Sequence, residues 1–305
     1  MGNNETNAFT MGCAEMTDHR DVFAGIAKYE RAQTAAKHAY FPFAEWPAES
    51  GSIRPRIICL PWAGGVASAY RSWIPELRDI AQVLATELPG HGVRFGEPCI
   101  DDATVLAARI AKAVLALPRA EAPVLIYGHS MGAILGFETA RLLAQRSTRL
   151  LGLVLSGHHA PHWPHRRSPR SNMTDRMLAD DLRDKGGTAP EILNSPDLLS
   201  VIFPTLRADY RLTETYRPAL HMLMPKLSLP VDIIGGQADA DNPPEGLEAW
   251  RDVICGPLEI SLWPGGHFFI DDRRKALLAH LRQRVSKWST AAAETSLGDS
   301  PSNGR

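Results

Sequence analysis

Pro123-Val124-Leu125-Ile126-Tyr127-Gly128-His129-Ser130-Met131-Gly132 is the stretch of this 305-residue chain whose reading decides the fold. Its opening is a short apolar run of the kind that makes a buried strand. A G-x-S-x-G pattern follows, and Met131 to Ala144, carrying Ile134, Leu135, Ala140, Leu142 and Leu143, reads as a helix. A serine at a sharp strand-to-helix turn holds its hydroxyl out over a cleft, and the small residues Gly128 and Gly132 let the backbone close up around it. The helix start adds N–H groups and the positive end of a dipole, both suited to a developing oxyanion. Ser130 is therefore the candidate nucleophile.

Working outward, apolar strands alternate with helical stretches. Strands are expected at Arg56–Leu60, Gln82–Glu87, Val124–Tyr127, Leu151–Ser156, Val231–Gly235 and Leu258–Trp263. Helices are expected at Tyr70–Ile80, Ala103–Leu117, Met131–Leu143, Glu245–Val253 and Arg273–Lys287. This alternation implies an α/β fold with a mostly parallel central sheet covered by helices on both faces. The alternation breaks at His158 to Lys226, where Leu198 to Phe203 and a second helical run from Pro204 to Tyr216 occur with no strand. An all-helical insertion between two strands reads as a lid, over residues 158–226. Met222 and Met224 are candidates to line an acyl channel in it. The core then comprises residues 53–157 and 227–288.

A nucleophilic serine needs a base and a group to orient that base, in the chain order serine, acid, histidine for this kind of elbow. His267 and His280 lie far downstream. His267 sits on the loop Pro264-Gly265-Gly266-His267 straight after a strand, and is the candidate base; His280, among Arg and Lys residues of a helix, reads as solvated. The acid belongs on Gly236-Gln237-Ala238-Asp239-Ala240-Asp241-Asn242, where Asp239 is favoured and Asp241 remains an alternative that could instead cap the next helix. For the oxyanion hole, one donor is the backbone N–H of Met131. The second belongs on the glycine-rich loop Pro61-Trp62-Ala63-Gly64-Gly65, with Ala63 first and Gly64 next.

Five blocks in order, Leu60 to Gly65, Leu88 to Pro98, Gly128 to Ala133, Leu206 to Tyr210 and Gly265 to Phe269, resemble the stand-alone type II thioesterases of nonribosomal peptide and polyketide synthesis. The resemblance runs from about Arg56 to Trp288. It implies an α/β-hydrolase fold with a helical lid, and hydrolysis of acyl groups from the phosphopantetheine arm of acyl or peptidyl carrier proteins through an acyl-serine. It places Ser130, Asp239 and His267 in the catalytic roles, with no cofactor. Two departures stand out: the family usually has Arg where His91 stands, and Asp-Pro where this chain has Asp239-Ala240. A small-molecule carboxylesterase with the same residues is the rival enzyme reading. An idle carrier-binding protein is the non-enzymatic one, against which the ordered serine, acid and histidine argue.

Composition narrows the rest. The formal net charge is −1, which gives no global attraction to nucleic acid or an anionic membrane. Arg166, Arg167, Arg170, Arg176, Arg207 and Arg211 on the lid and its flanks would still suffice for a local docking patch for an acidic carrier. The 4 cysteines are scattered without a C-x-x-C pair, as expected of free thiols in a reducing compartment. Neither a signal peptide nor a membrane-length apolar run is read, so a cytoplasmic monomer is expected. The run His158-His159-x-x-His162-x-x-His165 has the look of a metal site, but Pro161 and Pro164 break it and a lid hinge is favoured, with no metal expected. Residues 1–52 read as an extension, partly helical (Asp18 to Tyr40) or disordered, whose aromatic segment Tyr40 to Pro47 lies over the domain. Residues 289–305 read as a disordered tail.

Overall fold

The computed structural model describes residues 39–45, 53–119, 121–146, 148–164, 169–217 and 226–298. In chain order the elements are β1 (Arg56–Leu60), α1 (Trp73–Leu77), β2 (Gln82–Ala85), α2 (Ala103–Leu115), β3 (Val124–His129), α3 (Met131–Ala144) and β4 (Leu150–Ser156). The insertion follows with α4 (Asp175–Lys185), α5 (Pro190–Leu193) and α6 (Pro196–Thr215). The chain returns to the sheet through β5 (Val231–Gly236), α7 (Pro244–Glu248), β6 (Leu258–Trp263), α8 (Phe269–Asp272) and α9 (Arg274–Gly298).

The sheet order is β2-β1-β3-β4-β5-β6, with every neighbouring pair parallel. The expected parallel α/β sheet is thus what forms. Side chains alternate along each strand between two buried layers. Ile58 and Ile126 face a core shared with Leu106, Ile110, Ile134 and Phe137, while Ile57 and Tyr127 face one shared with Trp73, Leu77, Leu281 and Trp288. Because both faces are covered there, β1, β3 and β4 read as continuous apolar runs, while the edge strand β6 is only half-buried and carries Glu259 and Ser261. From β1 the chain steps to β2 on one side and then to β3 on the other. The loops leaving the C-terminal ends of β1 and β3 therefore diverge around a crevice, the usual place for a ligand in such sheets.

Several boundaries differ from the sequence expectation for identifiable reasons. The helix expected over 70–80 is a 3-10 turn, Ala67–Tyr70, followed by the short α1. Pro75 lacks an N–H and its ring would clash with the carbonyl of Arg71, so one continuous helix cannot form there. In contrast, α6 runs through Pro204 without a break, where a new helix was expected. Leu199, Phe203, Leu206 and Tyr210 of α6 pack with Leu178 and Leu182 of α4 into a separate small core, and that burial outweighs one lost backbone bond. Likewise α9 continues to Gly298, so residues 289–298 belong to a helix rather than a disordered tail. Ala291-Ala292-Ala293-Glu294 are strong helix formers extending a helix already nucleated.

Tyr40 and Phe41 are buried against the sheet, and Glu87 N–H donates to the Tyr40 carbonyl at 2.8 Å, so this segment covers the edge beside β2. The helix expected from Asp18 lies almost wholly outside the described residues, as do Trp46 and Pro47. His280 is not a solvated residue: its Nε2 is 2.7 Å from the buried Asp232 carboxylate of β5, which also takes the Arg284 guanidinium. Periodicity could not show this, because the partner lies 48 positions away. Among the described residues no helix is long and apolar enough to cross a membrane, and Cys59, Cys99 and Cys255 are free thiols.

Candidate active site

The elbow after β3 is built on close backbone approach. Ser130 has φ 54° and ψ −119°, a conformation that side-chain-bearing residues rarely adopt. A Cβ on Gly128 would lie 2.0 Å from the Gly132 carbonyl oxygen, and one on Gly132 would lie 2.2 Å from that of Leu60. Only glycine fits at either position, which is the physical content of the G-x-S-x-G pattern. Ser130 N–H donates to the Ser156 carbonyl at 2.8 Å, tying the turn to β4.

Three side chains meet at the C-terminal edge of the sheet. His267, on the loop after β6, has Nε2 3.0 Å from Ser130 Oγ and Nδ1 2.8 Å from Asp239 Oδ2. Asp239 comes from the loop after β5, and the pairing of β5 with β6 from Val231↔Leu258 to Gly236↔Trp263 sets the two loops side by side. Its carboxylate also accepts from Asn242 Nδ2 at 2.8 Å and from Asp241 N–H at 3.1 Å. Burial alone would raise its pKa, but the His267 ring and these donors hold it well below the usual carboxylate range. Asp239 is thus an anion held against the imidazole.

Asp241 points elsewhere. Its Oδ2 lies 2.7 Å from Arg170 Nη2 and 3.0 Å from Lys185 Nζ, and Arg170 Nε also reaches Asp181 at 2.9 Å. This aspartate is a hub linking the acid loop to the helical insertion, neither the partner of His267 nor a helix cap. The cap position before α7 is held by Pro243.

The oxyanion candidates are arranged as follows. Met131 is the first residue of α3, so its N–H has no acceptor within that helix. Gly64 N–H is occupied: it donates to Asp209 Oδ2 at 2.7 Å. Ala63, Ser130, Met131 and His267 together line one cavity of about 570 Å³. Of the two loop residues considered, Ala63 is the one that lines this cavity, while Gly64 N–H is turned to Asp209. Trp163, Arg170, Tyr210 and Glu214 from the insertion close its far side.

Sequence reasoning missed two supports. Asn242, read as part of a possible cap, bonds Asp239 and the Gly157 carbonyl through Nδ2 while its Oδ1 accepts from His159 N–H at 2.8 Å. His129, beside the serine, is fully buried with Nδ1 2.9 Å from Ser156 Oγ. Its ring centroid is 5.3 Å from that of His267 and 5.5 Å from that of Phe268. Burial, followed by the nearby His267, drives its pKa well below the ordinary histidine value, so it stays neutral and serves as a packing wall. Of the histidine run, His158 Nδ1 meets the His159 carbonyl and His162 Nε2 meets Asp252, so the two diverge; His165 lies outside the described residues.

Among the described residues, two of the arginines expected to form a docking patch, Arg170 and Arg207, are held within the fold. Arg170 is in the hub, Arg207 holds the Ser171 and Met173 carbonyls and Asp175, and Arg211 pairs with Asp101 at 3.5 Å. Arg176 remains exposed, while Arg166, Arg167, Met222 and Met224 lie outside the described residues.

A family model for the thioesterase domain matches residues 55–285. The thioesterase PikA5 of Streptomyces venezuelae is 35% identical over 228 residues, covering 74% of this chain and 79% of that protein. Among solved structures, the type II thioesterase BorB from the borrelidin biosynthetic cluster superposes with a TM-score of 0.71 at 32% identity, covering 79% of this chain and 96% of that one. YbtT, a type II thioesterase from the yersiniabactin NRPS/PKS biosynthetic pathway, gives 0.70 at 31% identity, covering 80% and 97%.

Proposed function

The chain belongs to the thioesterase family, and from that premise we propose that it frees acyl groups from the phosphopantetheine arm of acyl or peptidyl carrier proteins serving a peptide or polyketide synthase. The observation that carries this reading is His267 bridging Asp239 and Ser130 at 2.8 and 3.0 Å, with the serine open to a cavity roofed by helices.

In the proposed reaction His267 Nε2 takes the Ser130 proton as Oγ attacks the thioester carbonyl. Asp239 holds the Nδ1–H tautomer and stabilises the imidazolium that forms. The oxyanion is received by the N–H groups of Met131 and Ala63. The C–S bond then breaks, the pantetheine sulfur leaves with the proton from His267, and an acyl-serine remains. Water, deprotonated by His267, attacks that ester, and the acid departs as Ser130 recovers its proton. No cofactor or metal enters any step. The helices over 170–215 act as the lid that admits the pantetheine arm.

The test compares one short acyl group on a carrier protein, on coenzyme A and on a simple oxygen ester. Higher kcat/KM on the carrier is expected, since selectivity beyond the thioester must come from protein contact. Raising salt should weaken this preference, and the part that Arg170 and Arg207 could contribute is reduced because both are held by contacts within the fold. Equal efficiency on all three, or a preference for the oxygen ester, would replace this reading with that of a small-molecule carboxylesterase.

A further inference from the structure

Asp209 Oδ2 is a meeting point of three separate parts of the chain. It belongs to α6 of the insertion, accepts from Gly64 N–H of the loop after β1 at 2.7 Å, and faces Nε2 of His91, from the loop after β2, at 2.8 Å. The other ring nitrogen of His91, Nδ1, lies 3.0 Å from the Pro89 carbonyl oxygen. The His91 and Asp209 side chains are 3% and 2% exposed, so water does not substitute for these partners. Thr205, one turn earlier on α6, donates through Oγ1 to the Gly90 carbonyl, and Leu206 packs against Gly64.

Both ring nitrogens of His91 face acceptors, so both must carry hydrogens for the arrangement to be satisfied. We propose that His91 and Asp209 are positioning residues that lock the Ala63–Gly64 oxyanion loop to the lid, and that this lock is closed only while His91 is doubly protonated. The inference rests on Ala63 as an oxyanion donor. Fixing Gly64 N–H onto Asp209 fixes the adjacent peptide, and so aims Ala63 N–H into the cavity. Loss of either ring proton leaves a lone pair facing an oxygen. If Nε2 loses it, the Asp209 carboxylate is repelled and Gly64 is released. If Nδ1 loses it, the Pro89 turn is pushed away and the ring shifts with it.

The other charged groups nearby leave this role to Asp209. Glu87 is engaged by the N–H groups of Ala67 and Val93, and Arg94 turns its guanidinium to Glu97 and the Glu87 carbonyl. Cys99 Sγ packs at Thr205 Oγ1. Burial favours the neutral ring, but the Asp209 carboxylate, with the Pro89 carbonyl and Glu87, outweighs it and holds the His91 pKa above the ordinary histidine value. The lock is therefore closed below that raised value and opens as pH rises through it.

The experiment measures kcat on an acetyl-pantetheine thioester from neutral to alkaline pH, alongside an NMR titration of the His91 ring. A fall of about 100-fold along an alkaline limb that tracks the ring is expected, the size associated with a misplacement of about 1 Å in a catalytic group. His267 cannot produce this limb, because its own deprotonation activates it. In His91→Arg, permanently charged, the limb should vanish. In Asp209→Asn, which keeps an oxygen but no charge, it should move to lower pH. A wild-type profile without the limb, a limb unchanged in both variants, or a ring that titrates with no change in rate overturns the lock. Ser130→Ala in the same assay separates the two readings: if it is inactive, such a failure concerns the lock alone, and if it is active, the serine mechanism falls with it.

Discussion

At the scale of the residue, Ser130 joins two opposed demands. Its backbone, with φ 54°, projects the hydroxyl toward His267 but holds a Cβ-bearing residue in a disfavoured conformation, a strain of about 1–3 kcal/mol. Ser130→Ala keeps the Cβ and should keep the strain, so its melting temperature should match wild type while activity falls by at least about 10³-fold. Ser130→Gly should be equally inactive yet melt about 2–4 °C higher, because glycine adopts this conformation freely. Equal melting temperatures for the two would show that the strain is not there. The two aspartates of the acid loop invite a second comparison. Asp239→Asn should cost about 10⁴-fold in kcat through the wrong imidazole tautomer, with little change in stability. Asp241→Asn should do the opposite: it leaves His267 its partner but weakens the hub at Arg170 and Lys185, costing about 1–2 kcal/mol in denaturant unfolding. The reverse ranking would move the acid role to Asp241.

At the scale of the element, the strands were the most legible part. A buried parallel strand must be apolar on both faces, and β1, β3 and β4 carry that mark at the positions read from sequence, whereas the edge strand β6 interrupts it with Glu259 and Ser261. Helix limits were less legible wherever proline met tertiary packing. Pro75 divides the stretch 67–77 into a 3-10 turn and a short helix although Tyr70, Trp73 and Leu77 are buried, whereas Pro204 sits inside a continuous helix packed on both sides of it. Ser130 and His267 were legible because the elbow and the Gly-Gly loop are local patterns with mechanical meaning. Asn242, His129 and the link from Asp209 to Gly64 were not, since their roles depend on partners many positions away. Helix α9 shows the same limit. Its residues His280 and Arg284 both reach Asp232 beneath the sheet, and Asp232→Asn would leave the guanidinium short of its buried counter-charge. A loss of about 2 kcal/mol is expected by urea denaturation, without a matching loss of kcat. A rate loss larger than the stability loss would mean that α9 influences the site directly.

At the scale of the whole molecule, the insertion has a small core of its own beside the two cores of the sheet, and two clusters of polar contacts join it to the loops of the site. Asp209 joins the insertion to the loops after β1 and β2. Arg170, with Asp181 on one side and Asp241 on the other, joins it to the loop that carries Asp239. The second junction bears on how such proteins could be recombined. A chimera that takes residues 158–226 from a relative, to change the acyl group accepted, would remove Arg170, Asp181 and Lys185 while leaving Asp241 behind as a lone acceptor among groups that no longer neutralise it. The natural unit of exchange is therefore discontinuous in the chain: the insertion together with residues 239–242, transplanted as one piece.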